Sequence, residues 1–190
     1  MAIYKKHKRY FLIFLILFIF PLIVNITISD AQQEKHSEYE VKAAFIYNFL
    51  KFIDWPDGAF AGRSDTVNLC VLGDDPFGTA LNSIEEETVK DKKIITKHYN
   101  KFIDLKKCHI LFICSSERKQ LTEILDTLKG MNILTVSDTK GFAQQGVVIN
   151  FYIEEDKVRF EINQDAANRS GLKISSKLLS LAKIVRGAGR

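Results

Sequence analysis

From residue 38 onward the apolar positions fall into short runs whose period keeps changing. Between 38 and 53 they recur at helical spacing. Val41, Ala44, Phe45, Phe49 and Phe52 form one stripe, and Ile46, Leu50 and Ile53 a second beside it. The spacing predicts a helix with a wide apolar face, covered on more than one side. Such a face reads first as core and second as a surface for a dimer mate or another partner. Trp55-Pro56-Asp57-Gly58 ends the helix, because a proline drives the residue before it out of helical geometry and Gly58 favours a turn.

Strand and helix patterns then alternate. Thr66 to Leu72 is rich in β-branched and apolar residues and predicts a strand. It runs into the loop Gly73–Gly78, after which a helix is expected over 77–87 with Leu81 and Ile84 inward. Residues 93–98 predict a second, shorter strand. The unbroken apolar run His109 to Cys114 predicts a strand buried on both faces. Ser115-Ser116-Glu117 opens a helix with hydroxyls available for capping; Leu121, Ile124, Leu125 and Leu128 are its inner stripe and Gly130 its end. Another strand is expected over 132–136, then a polar loop from Ser137 to Gly146. Val147 to Ile153 and Lys157 to Ile162 read as an antiparallel hairpin joined by Glu154-Glu155-Asp156. The chain finishes with a short helix near 164–170, Gly171, and a last helix from about 175 that places Ile174, Leu178, Leu181, Ala182 and Val185 on one face. Alternating strands and helices imply right-handed crossovers and a mainly parallel sheet with helices on its faces. The expectation is a single three-layer α/β domain whose mixed, mainly parallel sheet is extended by the C-terminal antiparallel hairpin.

The first 31 residues have a different plan. A basic stretch, Lys5 to Arg9, precedes an apolar run from Phe11 to Val24 that only Pro21 interrupts, and Ser29-Asp30-Ala31 supplies small residues at a cleavage site. This is the layout of a secretory signal. The competing reading, a transmembrane anchor, needs roughly 20 apolar residues, and the run has 14. The expected division is a signal peptide over 1–31 and an exported α/β domain over 32–190, beginning at Gln32. The apolar run is not followed by a cysteine, so a lipid anchor is not expected.

Charge changes little once this segment is set aside. The whole chain carries +4, but residues 1–31 hold four basic residues against Asp30, leaving 23 basic and 22 acidic residues in 32–190. A domain so near neutrality lacks the electrostatic footprint of a nucleic-acid partner. With 46% hydrophobic and 26% charged residues, the chain is neither disordered nor fibrous.

Export gives the three cysteines meaning. In an oxidising compartment two of Cys70, Cys108 and Cys114 can pair and one remains. Cys108 and Cys114 lie six residues apart along one strand, about 20 Å at a strand's rise, too far to bond. That leaves Cys70 with either of the other two.

The search for chemistry is mostly exclusion. An α/β sheet presents ligands at the carboxyl ends of its strands. Three loops qualify, 73–78, 115–117 and 137–146, and Asp74, Asp75, Phe77, Ser137 and Asp138 are their candidate ligand residues. The first loop has no phosphate-binding ending, and two aspartates would repel a phosphate. A tight turn, with Asp74 or Asp75 capping the next helix, is the simpler reading. The sequence has no G-x-S-x-G elbow, H-x-x-x-H or C-x-x-C, and His36, His98 and His109 are scattered. No catalytic residues, metal or cofactor are therefore assigned, and an enzyme is not expected. On the second hairpin strand, alternation places Arg159, Glu161 and Asn163 on one face. They read either as a solvated surface set or as a polar patch for a partner or an anionic ligand.

Five segments in order carry a family resemblance. They are 41–49 (Val-Lys-Ala-Ala-Phe-Ile-Tyr-Asn-Phe) with Phe52 and Trp55-Pro56; 69–78 (Leu-Cys-Val-Leu-Gly-Asp-Asp-Pro-Phe-Gly); 108–113 (Cys-His-Ile-Leu-Phe-Ile); 133–138 (Ile-Leu-Thr-Val-Ser-Asp); and 158–163 (Val-Arg-Phe-Glu-Ile-Asn) with Ala166-Ala167, 171–175 and Leu178, Leu179, Leu181 and Ala182. Over nearly all of 38–185 the chain resembles the YfiR family of exported bacterial proteins. The resemblance implies a periplasmic, dimeric, non-catalytic α/β protein that represses a membrane-bound diguanylate cyclase by binding its periplasmic portion. It also implies relief of that repression by an outer-membrane-associated partner, and a disulfide between Cys70 and Cys108. The chain departs from the family in lacking a second cysteine pair over 137–152 and in having Cys114. The expected function is thus an exported regulator acting by contact. The rival is a periplasmic small-molecule sensor that uses the three loops as a pocket and serves another membrane receptor.

Overall fold

The computed structural model describes residues 36–60, 65–101 and 105–187. The expected signal peptide lies outside them. The chain divides into two units, 1–38 and 39–190. Of the first only 36–38 are described, and they are helical.

Helix α1 runs over 36–52. Among the described residues ten strands follow: β1 Ile53–Asp54, β2 Thr66–Leu72, β3 Thr88–Val89, β4 Lys92–Tyr99, β5 Ile110–Ile113, β6 Leu134–Ser137, β7 Ile149–Glu154, β8 Lys157–Asn163, β9 Lys173–Ile174 and β10 Lys183–Val185. The remaining helices are α2 Leu121–Thr127, α3 Phe142–Gln145, α4 Gln164–Arg169 and α5 Ser176–Leu179, with 3-10 turns at Ala80–Ser83, Leu105–Lys107 and Ser115–Lys119. Eight strands form one sheet in the order β10-β8-β7-β6-β5-β2-β4-β3, and β1 pairs with β9 in a separate ladder. β4, β2, β5, β6 and β7 run parallel; β8 returns antiparallel to β7, and β3 antiparallel to β4.

Alternation along the central strands divides the core into two layers. Val67, Leu69 and Val71 of β2, with Ile110 and Phe112 of β5, meet α1, α4 and α5 on one face. Cys70 and Leu72, with Leu111 and Ile113, meet α2 and α3 on the other. This is the three-layer mixed α/β arrangement. On the first face Phe45 and Phe49 of α1 pack against Phe151 and Phe160, with ring centroids 5.1–6.0 Å apart.

Several elements differ from expectation. The inner face of α1 is Tyr39, Lys42, Ala43, Ile46, Phe49 and Leu50, whereas Val41 is 42% exposed. The sheet therefore meets α1 on the second expected stripe, Ile46, Leu50 and Ile53, together with Phe49, while Val41 and Ala44 of the first turn outward. The helix expected over 77–87 reduces to the turn Ala80–Ser83, because the chain must reverse at Lys90-Asp91, where both residues have positive φ, to place β3 beside β4. β4 is longer than expected, eight residues. The loop 137–146 contains α3, whose Phe142 is completely buried. The last helix stops at Leu179. Lys183-Ile184-Val185 instead pairs parallel with β8, and Leu181 is left 68% exposed. A β-branched pair beside an open strand edge outweighs local helical spacing.

The hairpin β7–β8 turns through Glu155 and Asp156, both at positive φ (50° and 56°). This is the two-residue turn whose twist suits antiparallel strands. Among the described residues no helix is long and apolar enough to cross a membrane.

Candidate functional site

The order β4-β2-β5-β6-β7 is that of a doubly wound sheet, and its connections diverge between β2 and β5. Ligand crevices open at such a switch point, outside the carboxyl ends of the strands. Here the loops after β2 and β5 are drawn together. The backbone N–H of Asp74 donates to the Ser116 hydroxyl at 3.0 Å, and that hydroxyl donates to Glu117 at 3.2 Å. Gly73, at φ +96°, is what permits the approach, since a Cβ there would overlap the Ser116 hydroxyl and lie 2.8 Å from the Glu117 carboxylate. At this point the Ser116 and Glu117 side chains lie against the Gly73 backbone.

The loop residues named from sequence are engaged in the same way. Asp75 accepts from the Phe77 N–H at 2.8 Å and pairs with His98 at 3.2 Å. Phe77 is buried edge-on against Tyr39 and Phe112. The Ser137 hydroxyl donates to the Ile113 carbonyl at 2.7 Å and accepts from the Thr139 N–H. Asp138 receives both the Tyr39 hydroxyl, at 2.7 Å, and the Lys42 ammonium, at 2.6 Å, and Lys42 also lies 4.1 Å from the Tyr39 ring centroid. The Thr139 hydroxyl is buried and finds no hydrogen-bond partner among the described residues.

Cys114 sits at the end of β5 beneath these loops. Burial pushes its thiol up from 9.0 to about 12, and the carboxylates of Asp75, Asp138, Glu117 and Asp74 push in the same direction. A thiol held protonated at neutral pH and closed off from solvent is neither a nucleophile nor a redox contact.

The other two cysteines are bonded. Cys70 of β2 and Cys108, just before β5, have their Cα atoms 5.8 Å apart, and Cys114 is free. The bond lies on the sheet face that carries α2 and α3.

The polar set on β8 separates into different roles. Arg159 is exposed near the hairpin turn, 4.0 Å from Glu154. Glu161 is only 7% exposed, and both its oxygens lie 3.4 Å from the Gln144 amide nitrogen. Asn163 is completely buried. Its amide nitrogen donates to the Ala143 carbonyl at 2.7 Å, and its oxygen accepts from the Ala166 N–H, capping α4. Alternation does place the three on one face, as expected. Addition of β10 beside β8, with Lys183 opposite Glu161 and Val185 opposite Asn163, and the approach of α3 enclose the latter two. Asn163 therefore joins parts of the fold and does not face a partner.

The residue that sequence reasoning missed is Lys42. Its signal was its place on the inner stripe of α1, between Tyr39 and Ile46, where an uncompensated lysine does not belong. Only the position of Asp138 explains it.

The YfiR/HmsC-like family model matches residues 39–183. No curated protein matches the sequence. Among solved structures, a conserved domain protein of Vibrio cholerae O1 biovar El Tor superposes with a TM-score of 0.52 at 10% identity, covering 77% of this chain and 59% of that one. The chain thus spans less than two thirds of that protein, and the likeness concerns the fold alone. The ABC domain from Streptococcus pneumoniae in complex with L-Trp gives a TM-score of 0.47 at 8% identity, covering 63% and 55% of the two chains. A ligand-free, open substrate-binding protein of Clostridium difficile gives 0.46 at 10%, covering 67% and 56%. These two likenesses are too slight to carry an argument. The family match, by contrast, runs from α1 to the start of β10: the chain belongs to the YfiR/HmsC-like family.

Proposed function

We propose that the mature chain, 32–190, is a periplasmic regulatory protein that represses a membrane-bound diguanylate cyclase by binding its periplasmic portion. The observation that carries this reading is family membership over 39–183. The geometry favours docking over capture of a small molecule, because the residues best placed to bind one are spent on each other. Asp75 holds His98, Asp138 holds Lys42 and Tyr39, and Ser116 and Glu117 lie against Gly73. The end of the β7–β8 hairpin supplies the contact surface, with Arg159 exposed beside its register partner Tyr152 on one face and the 50% exposed Ile153 on the other. Repression follows from mass action: a regulator that prefers the inactive form of its target shifts the equilibrium by the ratio of its two affinities. Export through a cleaved 1–31 segment, homodimer formation and release by an outer-membrane-associated partner belong to the same reading.

Affinity capture from envelope membranes tests it. The tagged protein should recover a membrane sensor, and Arg159→Glu should weaken the recovery. Failure to recover any sensor overturns the docking reading. A deletion strain should show raised cyclic-di-GMP, and an unchanged level overturns the cyclase as target. A small metabolite that raises the melting temperature severalfold more than related compounds would favour the sensor reading instead.

A further inference from the structure

We propose that the sheet edge around the Cys70–Cys108 bond is a lysine surface that binds the headgroups of anionic phospholipids. β3 covers β4 only at Lys92 and Lys93. From Ile95 to Tyr99 no strand lies on the outer side of β4 among the described residues. Lys97 is the register partner of Cys70, so its side chain leaves the sheet on the face that carries the disulfide. Lys106 and Lys107 immediately precede Cys108, and Lys101 follows Tyr99 at a distance of two residues. The disulfide ties β2, next to β4, to the Lys106–Lys107 turn, which holds that turn on the sheet face from which Lys97 emerges.

Charge and residue choice specify the partner. Residues 97–107 hold four lysines against the single acid Asp104, in a domain otherwise close to neutral. Of the neighbouring acids, Glu86 pairs with Lys93, Asp54 with Lys90 and Asp75 with His98, while the Glu85 carboxylate lies on the outer edge of β4, where it accepts from the Thr96 N–H and hydroxyl. Lys101 and Lys106 are exposed and Lys97 half-buried, and none of the three makes an ion pair among the described residues. The whole stretch from 64 to 117 has no arginine. Protein interfaces favour arginine and are poor in lysine, whereas mobile lysine point charges suit the diffuse field of an anionic bilayer. Half-buried Tyr99, two residues from Lys97 on the same face, adds an aromatic of the kind found at headgroup depth. Such a surface would hold the protein against the membrane whichever sensor it meets.

Vesicle flotation of the purified, oxidised protein tests this without any sensor. Vesicles of phosphatidylcholine with phosphatidylglycerol should bind it at low salt, and vesicles of phosphatidylcholine alone should not. Binding should fall about tenfold or more when salt shortens the screening length to about 3 Å. Lys97→Glu/Lys101→Glu/Lys106→Glu should lower binding about tenfold or more, while Lys119→Glu/Lys140→Glu/Lys173→Glu, an equal change of net charge elsewhere, should keep most of it. If the first variant misfolds, the same three positions changed to Gln serve in its place. No binding to the anionic vesicles, equal binding to both kinds, indifference to salt, or equal loss in the two triple variants each overturns the proposal.

Discussion

The Lys42 ammonium lies 2.6 Å from Oδ2 of Asp138, across 96 residues of sequence, and it is almost completely shielded from water. The pair couples α1 to the carboxyl end of β6 and sets the rotation of the helix on the sheet. Removing one member of such a pair leaves the other without compensation, at a cost of about 3–5 kcal/mol. Lys42→Ala should therefore lower the unfolding free energy by about 3 kcal/mol. Lys42→Met/Asp138→Asn should recover much of it. Denaturant titration of the three proteins measures both effects.

Asn163 and Arg159 should separate stability from binding. Asn163→Ala removes a helix cap and orphans the Ala143 carbonyl, for a loss of about 2 kcal/mol. Arg159→Glu, at an exposed position, should change stability by less than about 0.5 kcal/mol yet reduce sensor capture. Thermal melts alongside capture yields would reveal whether either substitution behaves like the other.

The Cys114 thiol titrates higher in the folded chain than in the unfolded one, so the native state keeps its proton longer. The stability contributed is intact below the ordinary thiol value of 9.0 and declines as pH rises from there toward about 12. Cys114→Ala should flatten this alkaline decline. Iodoacetamide at mildly alkaline pH should leave Cys114 unlabelled in the native protein and label it once denaturant is added, which mass spectrometry reads directly.

The Cys70–Cys108 bond links residues separated by 38 positions in sequence. Its removal from a domain of this size typically costs about 2–5 kcal/mol. Cys70→Ala/Cys108→Ala should melt well below the parent protein, and dithiothreitol should lower the parent to the same point without affecting the double variant.

The buried strands are the most legible part of the fold. Thr66–Leu72 is readable to the residue, because a strand closed on both faces has few alternatives to a continuous apolar run, and the hairpin nearly so, because its apolar runs flank the turn residues Glu155-Asp156. The disulfide is legible only through family resemblance, since spacing alone leaves two choices. Features set by distant partners escape. Lys183-Ile184-Val185 continues a helical stripe in isolation, and only the free edge of β8 makes it a strand. Likewise, Asp138 and Asp75 have the composition of ligand residues; that they bind Lys42 and His98 is decided by packing. Glu161 and Asn163 share a strand face with Arg159, but alternation does not say which parts of that face are later covered.

The short ladder between Ile53 and Ile174 joins the strand that directly follows α1 to the last fifth of the chain, and Lys90 fastens it by donating to the Ile53 carbonyl at 2.9 Å. Early and late segments consequently stand or fall together. Melting of residues 39–187 should be a single concerted event, in which the C-terminal strands do not peel away while the rest of the sheet survives.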